Sequence, residues 1–559
     1  MPDVHHEIAD ILLHCEEKGI APRYSVSPDS YREEERRFLR RSHPQRTEPV
    51  AYKAKGEEIF IVSDLHIAGG KNEAGVFKGT ENFFADDSFG RFLNYAHRIR
   101  KTENALLIIN GDIFDFLRVV EFPGRKKKVR WSKRVKNALK LNPLLQQVAP
   151  RRDVIDDQYE RWGRELRKIG IEMTRQELEE GISKRERTYG LGTEDFKTIY
   201  KLMLIRDGHP VFFDALGHWL EQGHRLIIVK GNHDLELYWL QVRNYFRFLL
   251  AENITHHFKN KDLTEVLKTI VLPNITFIDD SVVIDDDFYV EHGHRYDKFT
   301  MVLDGPTLSD NPCQINIPFG SFFNRYLINR IELFYPFLDN VRPSGNVLPI
   351  LIKENFPLAI KVLFQHLPFL LRMLSTKRRY MWYMIHSVLW FSLALIAPVV
   401  LLLIFSPAVF VSFFSIFSSL TSESKIFSLV LNQSKGLGLL IASYLLSRFA
   451  GWFQLEEPSS LDNDAEQRSE GTPYKIMTMG HTHNPGEYLF NNGCRFYNTG
   501  TWIPVIENST ADIREDKTFT FLHLVRNQKN ELELGNGRFL ERWNDDAGRA
   551  DCQIVIERK

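Results

Sequence analysis

Cysteine is nearly absent from this chain. Cys15, Cys313, Cys494 and Cys552 stand alone among 559 residues, and no two share the short spacing of a thiolate metal site or a redox pair. That excludes a disulfide framework and points to a reducing compartment. A surplus of one charge is also absent, because 72 Lys+Arg balance 72 Asp+Glu. Wholesale nucleic-acid binding needs a basic surplus, so no nucleic-acid partner is expected. The opening MPDVHHEIADILLHCEEKG carries acidic residues and no apolar core run, so no signal peptide is read there. Charged residues at 26% and apolar ones at 43% exclude long disorder and collagen-like repeats. A chain of this length is expected to form about two to four folding units.

What is present falls into stretches of different texture. Residues 1–50 are polar and charged (YREEERRFLRRSHPQR) and read as a leader or surface extension rather than core. From Glu57 short apolar strands alternate with amphipathic helices. IFIVSD (59–64), ALLIIN (105–110) and RLIIVK (225–230) read as strands, and Phe89, Phe92, Leu93, Ala96 and Ile99 recur at helical spacing. Buried strands with helical crossovers predict an α/β layered core with its functional loops at the carboxyl ends of the strands. Charged helical sequence forms an insert over 121–215. Its run GRKKKVRWSKRVKNALK (124–140) reads first as a solvated helix face and second as a clamp for an anionic substrate or lipid head group.

Between Ser387 and Ser422 no residue is charged. A continuous helix there would reach ~54 Å against a hydrocarbon core of ~30 Å. Pro398 and Pro407 lie inside it, so the expectation is a kinked span followed by an interfacial or re-entrant piece. A second apolar segment, 426–446, carries Lys435 near its middle, and together they predict a membrane hairpin over 381–450. Residues 301–375 read as linker helices, with 348–374 mixing apolar residues and regular charges as a helix on a membrane surface would. The competing reading is a buried helical hairpin. From about Thr472 to the end, 472–559, the strand-and-turn texture returns.

Five short blocks carry the chemistry: Asp64-Leu65-His66, Gly111-Asp112-Ile113-Phe114-Asp115, Gly231-Asn232-His233-Asp234, His292-Gly293-His294 and Gly480-His481-Thr482-His483. Each follows an apparent strand, where a sheet presents side chains at one rim. Alone, an Asp-x-His or a Gly-Asp at a strand end is an ordinary turn. Five such blocks in one order are not. Carboxylate, imidazole and amide ligands without thiolate suit Mn²⁺, Fe²⁺, Zn²⁺ or Ni²⁺.

In these blocks the chain resembles the calcineurin-like metallophosphoesterase superfamily, whose order is D-x-H, G-D-x-x-D, G-N-H-D, H and G-H-x-H. The resemblance covers roughly residues 57–120, 220–300 and 472–505, which makes the core discontinuous: 51–300 with its insert, completed by 472–559. It implies an α/β fold in which a β-sandwich flanked by helices holds two divalent ions, Mn²⁺ foremost. By matching motif, one ion would take Asp64, His66, Asp112 and His483. The other would take Asp112, Asn232, His292 and His481, with Asp112 bridging. His233 would stabilise the phosphate or protonate the leaving oxygen, and Asp234 would orient His233. For His294 a substrate contact and a structural role stay equally open. The wording SDLHIAGG, NGDIFDFL, GNHDLEL and HGHRYD is similar to bacterial enzymes of the UDP-2,3-diacylglucosamine hydrolase type, which are shorter and lack such a membrane insert.

The expectation is a membrane-associated dimetal phosphoesterase, a hydrolase acting on a lipid-linked or amphipathic phosphate or pyrophosphate, with the lipid bilayer as a partner. A membrane-tethered phosphodiesterase for a soluble nucleotide is the alternative, and a non-catalytic metal-binding scaffold is disfavoured because every block is intact. Lys377, Arg378 and Arg379 precede the apolar region and Arg448 follows it. The positive-inside rule then places the catalytic core on the cytoplasmic side.

Overall fold

The computed structural model describes residues 2–18, 48–72, 75–123, 152–257, 262–329, 341–342, 460–507, 517–536 and 540–551. The chain divides into two units, Met1–Pro343 with Glu457–Lys559, and Ser344–Glu456. Every described residue belongs to the first. The expected hairpin 381–450, the stretch 348–374 and the basic run 124–140 therefore lie outside the described residues. Among the described residues no helix is long and apolar enough to cross a membrane.

The strands, in chain order, begin with Val50–Tyr52 (β1), Glu58–Val62 (β2), Ala105–Asn110 (β3), Arg225–Val229 (β4), Ile275–Ile278 (β5), Ser281–Ile284 (β6), Phe288–Glu291 (β7) and Val341–Arg342 (β8). They continue with Ile476–Met479 (β9), Gly486–Leu489 (β10), Arg495–Asn498 (β11), Ile506–Glu507 (β12), Thr520–Arg526 (β13), Leu532–Leu534 (β14), Glu541–Asn544 (β15) and Arg549–Asp551 (β16). One sheet runs β1-β6-β7-β9-β11-β10. The other runs β16-β15-β13-β2-β3-β4-β5 with β14 beside β13, while β8 and β12 form a separate pair.

Strands β2 to β5 are parallel, with Ile61 opposite Ile108 and Ile108 opposite Ile227. Both faces of these strands are buried, which is why they read as unbroken apolar runs rather than alternating ones. Successive side chains still part to opposite faces. Ile59, Ile61, Leu106, Ile108, Ile227 and Val229 meet Val282, Ile284, Phe288 and Val290 of the second sheet. Phe60, Val62, Leu107, Ile109, Leu226 and Ile228 join a helical layer instead. Its main helices are Pro2–His14 (α1), Asp86–Ile99 (α2), Arg152–Lys168 (α3), Asp195–Gly208 (α4), Pro210–Glu221 (α5) and Leu240–His257 (α6). On the far side, Leu461 and Ala465 cover Tyr289, Met477, Met479 and Phe496. The result is a mixed α/β architecture of two sheets flanked by helices, as the strand texture predicts.

The N-terminal expectation needs correction. Far from being only a surface extension, α1 buries Ile8, Ile11, Leu12 and Cys15 in the main helical core, and β1 adds an edge strand to the six-stranded sheet. The described part of the insert is helical, and α4 is buried along most of its length. Lys201 of α4 meets Glu236, three residues past His233, at 3.3 Å with both side chains 1% exposed.

Candidate metal centre

Each of the five blocks leaves the carboxyl end of its strand: β2, β3, β4, β7 or β9. The backbone there is unusual. Asp64, His66, Asp112, His481 and His483 all have φ between 50° and 67°. Left-handed backbone is disfavoured for residues with a Cβ, and it persists where the surroundings hold it, commonly at functional sites. Gly111, with φ 83°, lets β3 turn against His292, and a methyl group in its place would collide with that imidazole.

These turns bring Asp64, His66, Asp112, His292 and His483 together. His66 Nε2 and His483 Nε2 stand 3.0 Å apart. His483 Nε2 lies 3.2 Å from Asp64 Oδ1, and His66 Nε2 lies 3.7 Å from Asp112 Oδ2. On the other side of Asp112, Oδ2 is 3.2 Å from His292 Nε2. Asp64 Oδ1, Asn232 Oδ1 and His292 Nε2 are nevertheless buried without a hydrogen-bond partner. Buried polar atoms are rarely left so without reason, and a cation between them supplies one.

The supporting contacts fix which atom each residue can offer. His292 Nδ1 donates to the carbonyl oxygen of Asn110 at 2.9 Å, leaving Nε2 for the centre. Asp64 Oδ2 accepts the backbone N–H of His481 at 3.1 Å, leaving Oδ1. His481 turns Nε2 toward Asp297 Oδ2 at 3.2 Å and Thr300 Oγ1 at 3.4 Å, so Nδ1 is the nitrogen it has left. The groups Asp64–His66–His483, His66–Asp112–His233 and Asp64–Asp112–His292 each converge closely enough to hold a metal ion, with Asp64, His66 and Asp112 each shared between two of them. Buried Asp and His side chains here can therefore hold a metal ion.

Charges in this cluster stabilise one another. Burial opposes ionisation of Asp64 and Asp112, but His292 and the neighbouring imidazoles hold both carboxyls well below the usual range. Burial likewise opposes charge on the histidines. Asp115 and Asp64 outweigh it for His66, which is raised to about 10, and Asp112 and Asp64 do so for His292, raised to about 9. A metal ion bound there would compete with protons for these histidines.

His233 stands beside this cluster. Its Nδ1 is 2.7 Å from Asp115 Oδ2, and its side chain keeps 15% exposure where the ligands are almost fully enclosed. Its backbone N–H donates to Asp112 Oδ1 at 2.8 Å. Burial would lower its pKa, but Asp115 and Asp112 raise it to about 9. The expected partner of His233 was Asp234, and the structure corrects this. Asp234 accepts the N–H groups of Gly231 at 2.7 Å and Ile113 at 2.9 Å, tying the third block to the second. The carboxylate that holds His233 is Asp115. His294 is buried, 5.5 Å from the His292 ring, and burial together with the charges of His292 and His481 pushes its pKa well down.

No protein-family model matches the chain, and no curated protein matches it.

Proposed function

We propose that this chain is a dimetal phosphoesterase of the calcineurin-like metallophosphoesterase kind, hydrolysing a phosphate ester or pyrophosphate bond in a lipid-linked or amphipathic substrate. The observation that carries the reading is the convergence of Asp64, His66, Asp112, His292 and His483 in one buried cluster, where Asp64 Oδ1, Asn232 Oδ1 and His292 Nε2 lack a hydrogen-bond partner. Asn232 and His481 complete the proposed ligand set, with Asp112 as the bridge. Two bound divalent ions, Mn²⁺ foremost, would neutralise charge on the phosphoryl oxygens and lower the pKa of an attacking water.

The chain's own residues supply the rest. Asp115 fixes the His233 ring through Nδ1, so the other nitrogen, Nε2, is the one that can reach a substrate. An imidazolium proton on Nε2 can pass to the departing oxygen as the ester bond breaks. Asp234 keeps the second and third blocks in register, so that Asn232 and His233 arrive beside Asp112. The lipid-linked substrate class rests on the apolar sequence between Ser387 and Ser422 and on the motif wording.

The test is hydrolysis by purified protein with Mn²⁺ across phospholipids, sugar-nucleotide lipids, cyclic nucleotides and a chromogenic phosphodiester. Asp112→Asn should abolish turnover and lower bound metal by elemental analysis. Full metal content with undiminished hydrolysis in that variant would sink the dimetal reading. Activity confined to soluble nucleotides would replace the lipid substrate with the soluble one.

A further inference from the structure

We propose that Glu81 and His209 are positioning residues for the metal centre, holding the left-handed loop of Asp64 and His66 against the junction of α4 and α5. The proposal rests on the metal-binding reading above.

The loop after His66 has little regular structure of its own to hold it. Instead Glu81, 1% exposed, gathers its backbone. Its carboxylate accepts the N–H groups of Ala68 at 3.3 Å and Gly70 at 2.5 Å, and of Asn82 and Phe83 at 3.0 and 2.8 Å. Four amides and a carboxylate make the kind of charge-assisted set that fixes a backbone path. His209, fully buried, then clamps Glu81 from the helical side. Its Nε2 is 3.0 Å from Glu81 Oε2, and its Nδ1 is 2.9 Å from Asp86 Oδ1 at the start of α2. Burial works against charge on this ring, but hydrogen bonds to Asp86 and Glu81 raise its pKa to about 9. Both ring nitrogens therefore carry protons at neutral pH, and each donates to one carboxylate.

A second observation seats the same loop on the same junction. Lys71 N–H donates to the Gly208 carbonyl oxygen at 3.3 Å. A side chain at Gly208 would collide with the backbone of Gly69 and Gly70, so the two segments touch backbone to backbone. Asp64 at φ 54° and His66 at φ 50° begin this loop. Strained residues keep their geometry only while their surroundings hold it. Glu81 and His209 lie outside the proposed ligand set. Their effect runs through the path of residues 64–70.

The test is calorimetric titration of Mn²⁺ into metal-stripped full-length protein, with kcat and KM measured at saturating Mn²⁺. Glu81→Gln and His209→Gln should each weaken Mn²⁺ binding by about 10- to 100-fold, the usual size for a supporting partner of a metal ligand. They should lower kcat with little change in KM. Leu249→Ala, a cavity in buried α6, is the control for general destabilisation and should lose Tm while keeping Mn²⁺ affinity. Wild-type Mn²⁺ affinity in both glutamine variants overturns the proposal. So does an equal loss of affinity in the Leu249→Ala control. Should Glu81→Gln fail to fold, His209→Gln, which keeps an N–H donor in the clamp, decides alone by the same criterion. A wild-type protein that binds no Mn²⁺ would sink the dimetal reading first and this inference with it.

Discussion

His233 is held at one nitrogen and open at the other, which makes it the most informative single residue for chemistry. His233→Ala should leave metal content intact and cut turnover by about two to four orders of magnitude. Asp115→Asn should produce part of that loss, because an amide holds the ring less firmly and no longer favours its charged form. Elemental analysis beside steady-state kinetics checks both. Loss of metal from His233→Ala would make the residue a ligand rather than an acid. The contrast between Asp115 and Asp234 also marks where sequence stops being readable. Both carboxylates stood inside short blocks, and adjacency favoured Asp234. Adjacent residues in a turn point in different directions, however, and the Asp234 side chain curls back onto the Gly231 and Ile113 amides. Asp297, which faces His481, and Glu81, which gathers the loop after His66, carry no local signal at all. Asp297 meets His481 and Glu81 meets His209 across more than a hundred residues of intervening chain.

Elements were far more legible than partnerships. β2, β3, β4, β7 and β9 lie where short apolar runs end in polar, glycine-containing turns, because a strand buried on both faces has no other composition open to it. The helix α1 was missed despite a usable pattern. Ile8, Ile11, Leu12 and Cys15 fall at the three- and four-residue spacing of a buried helical stripe, masked by the charged sequence that follows. The insert conceals something composition could not show, the buried pair of Lys201 and Glu236. Removing one partner of such a pair leaves an uncompensated charge, whereas replacing both with apolar side chains is commonly near neutral. Lys201→Ala should therefore destabilise the protein by about 3–5 kcal/mol, and Lys201→Met with Glu236→Leu by much less. Urea unfolding of the two variants checks the expectation. A double variant no more stable than the single one would mean that the pair is needed for more than its own neutrality.

On the scale of the whole molecule, every proposed ligand belongs to the unit formed by Met1–Pro343 and Glu457–Lys559. Ser344–Glu456 contains the uncharged run between Ser387 and Ser422 and no ligand block. Replacing that unit with a flexible linker should leave Mn²⁺ binding and hydrolysis of a soluble phosphodiester within a few-fold of wild type. Activity on a lipid substrate in vesicles should fall by an order of magnitude or more if the segment brings the catalytic unit to a bilayer. Vesicle sedimentation and paired assays test this, and unchanged vesicle activity would argue for the soluble-substrate alternative.

The discontinuous sheets also set a timetable. β7 lies between β6 and β9, and β2 lies between β3 and β13, so each sheet waits for a strand made late in synthesis. While a ribosome has released only the first half of the chain, β2 and β7 each present an open edge, the feature that invites pairing with the wrong chain. Two of the proposed ligands, His481 and His483, arrive with the late strand. The nascent protein therefore passes through a long stage in which it is prone to aggregation and lacks two of the proposed ligands. Holding chaperones would act during that stage, and the proposed activity would require that the last strands close the sheets.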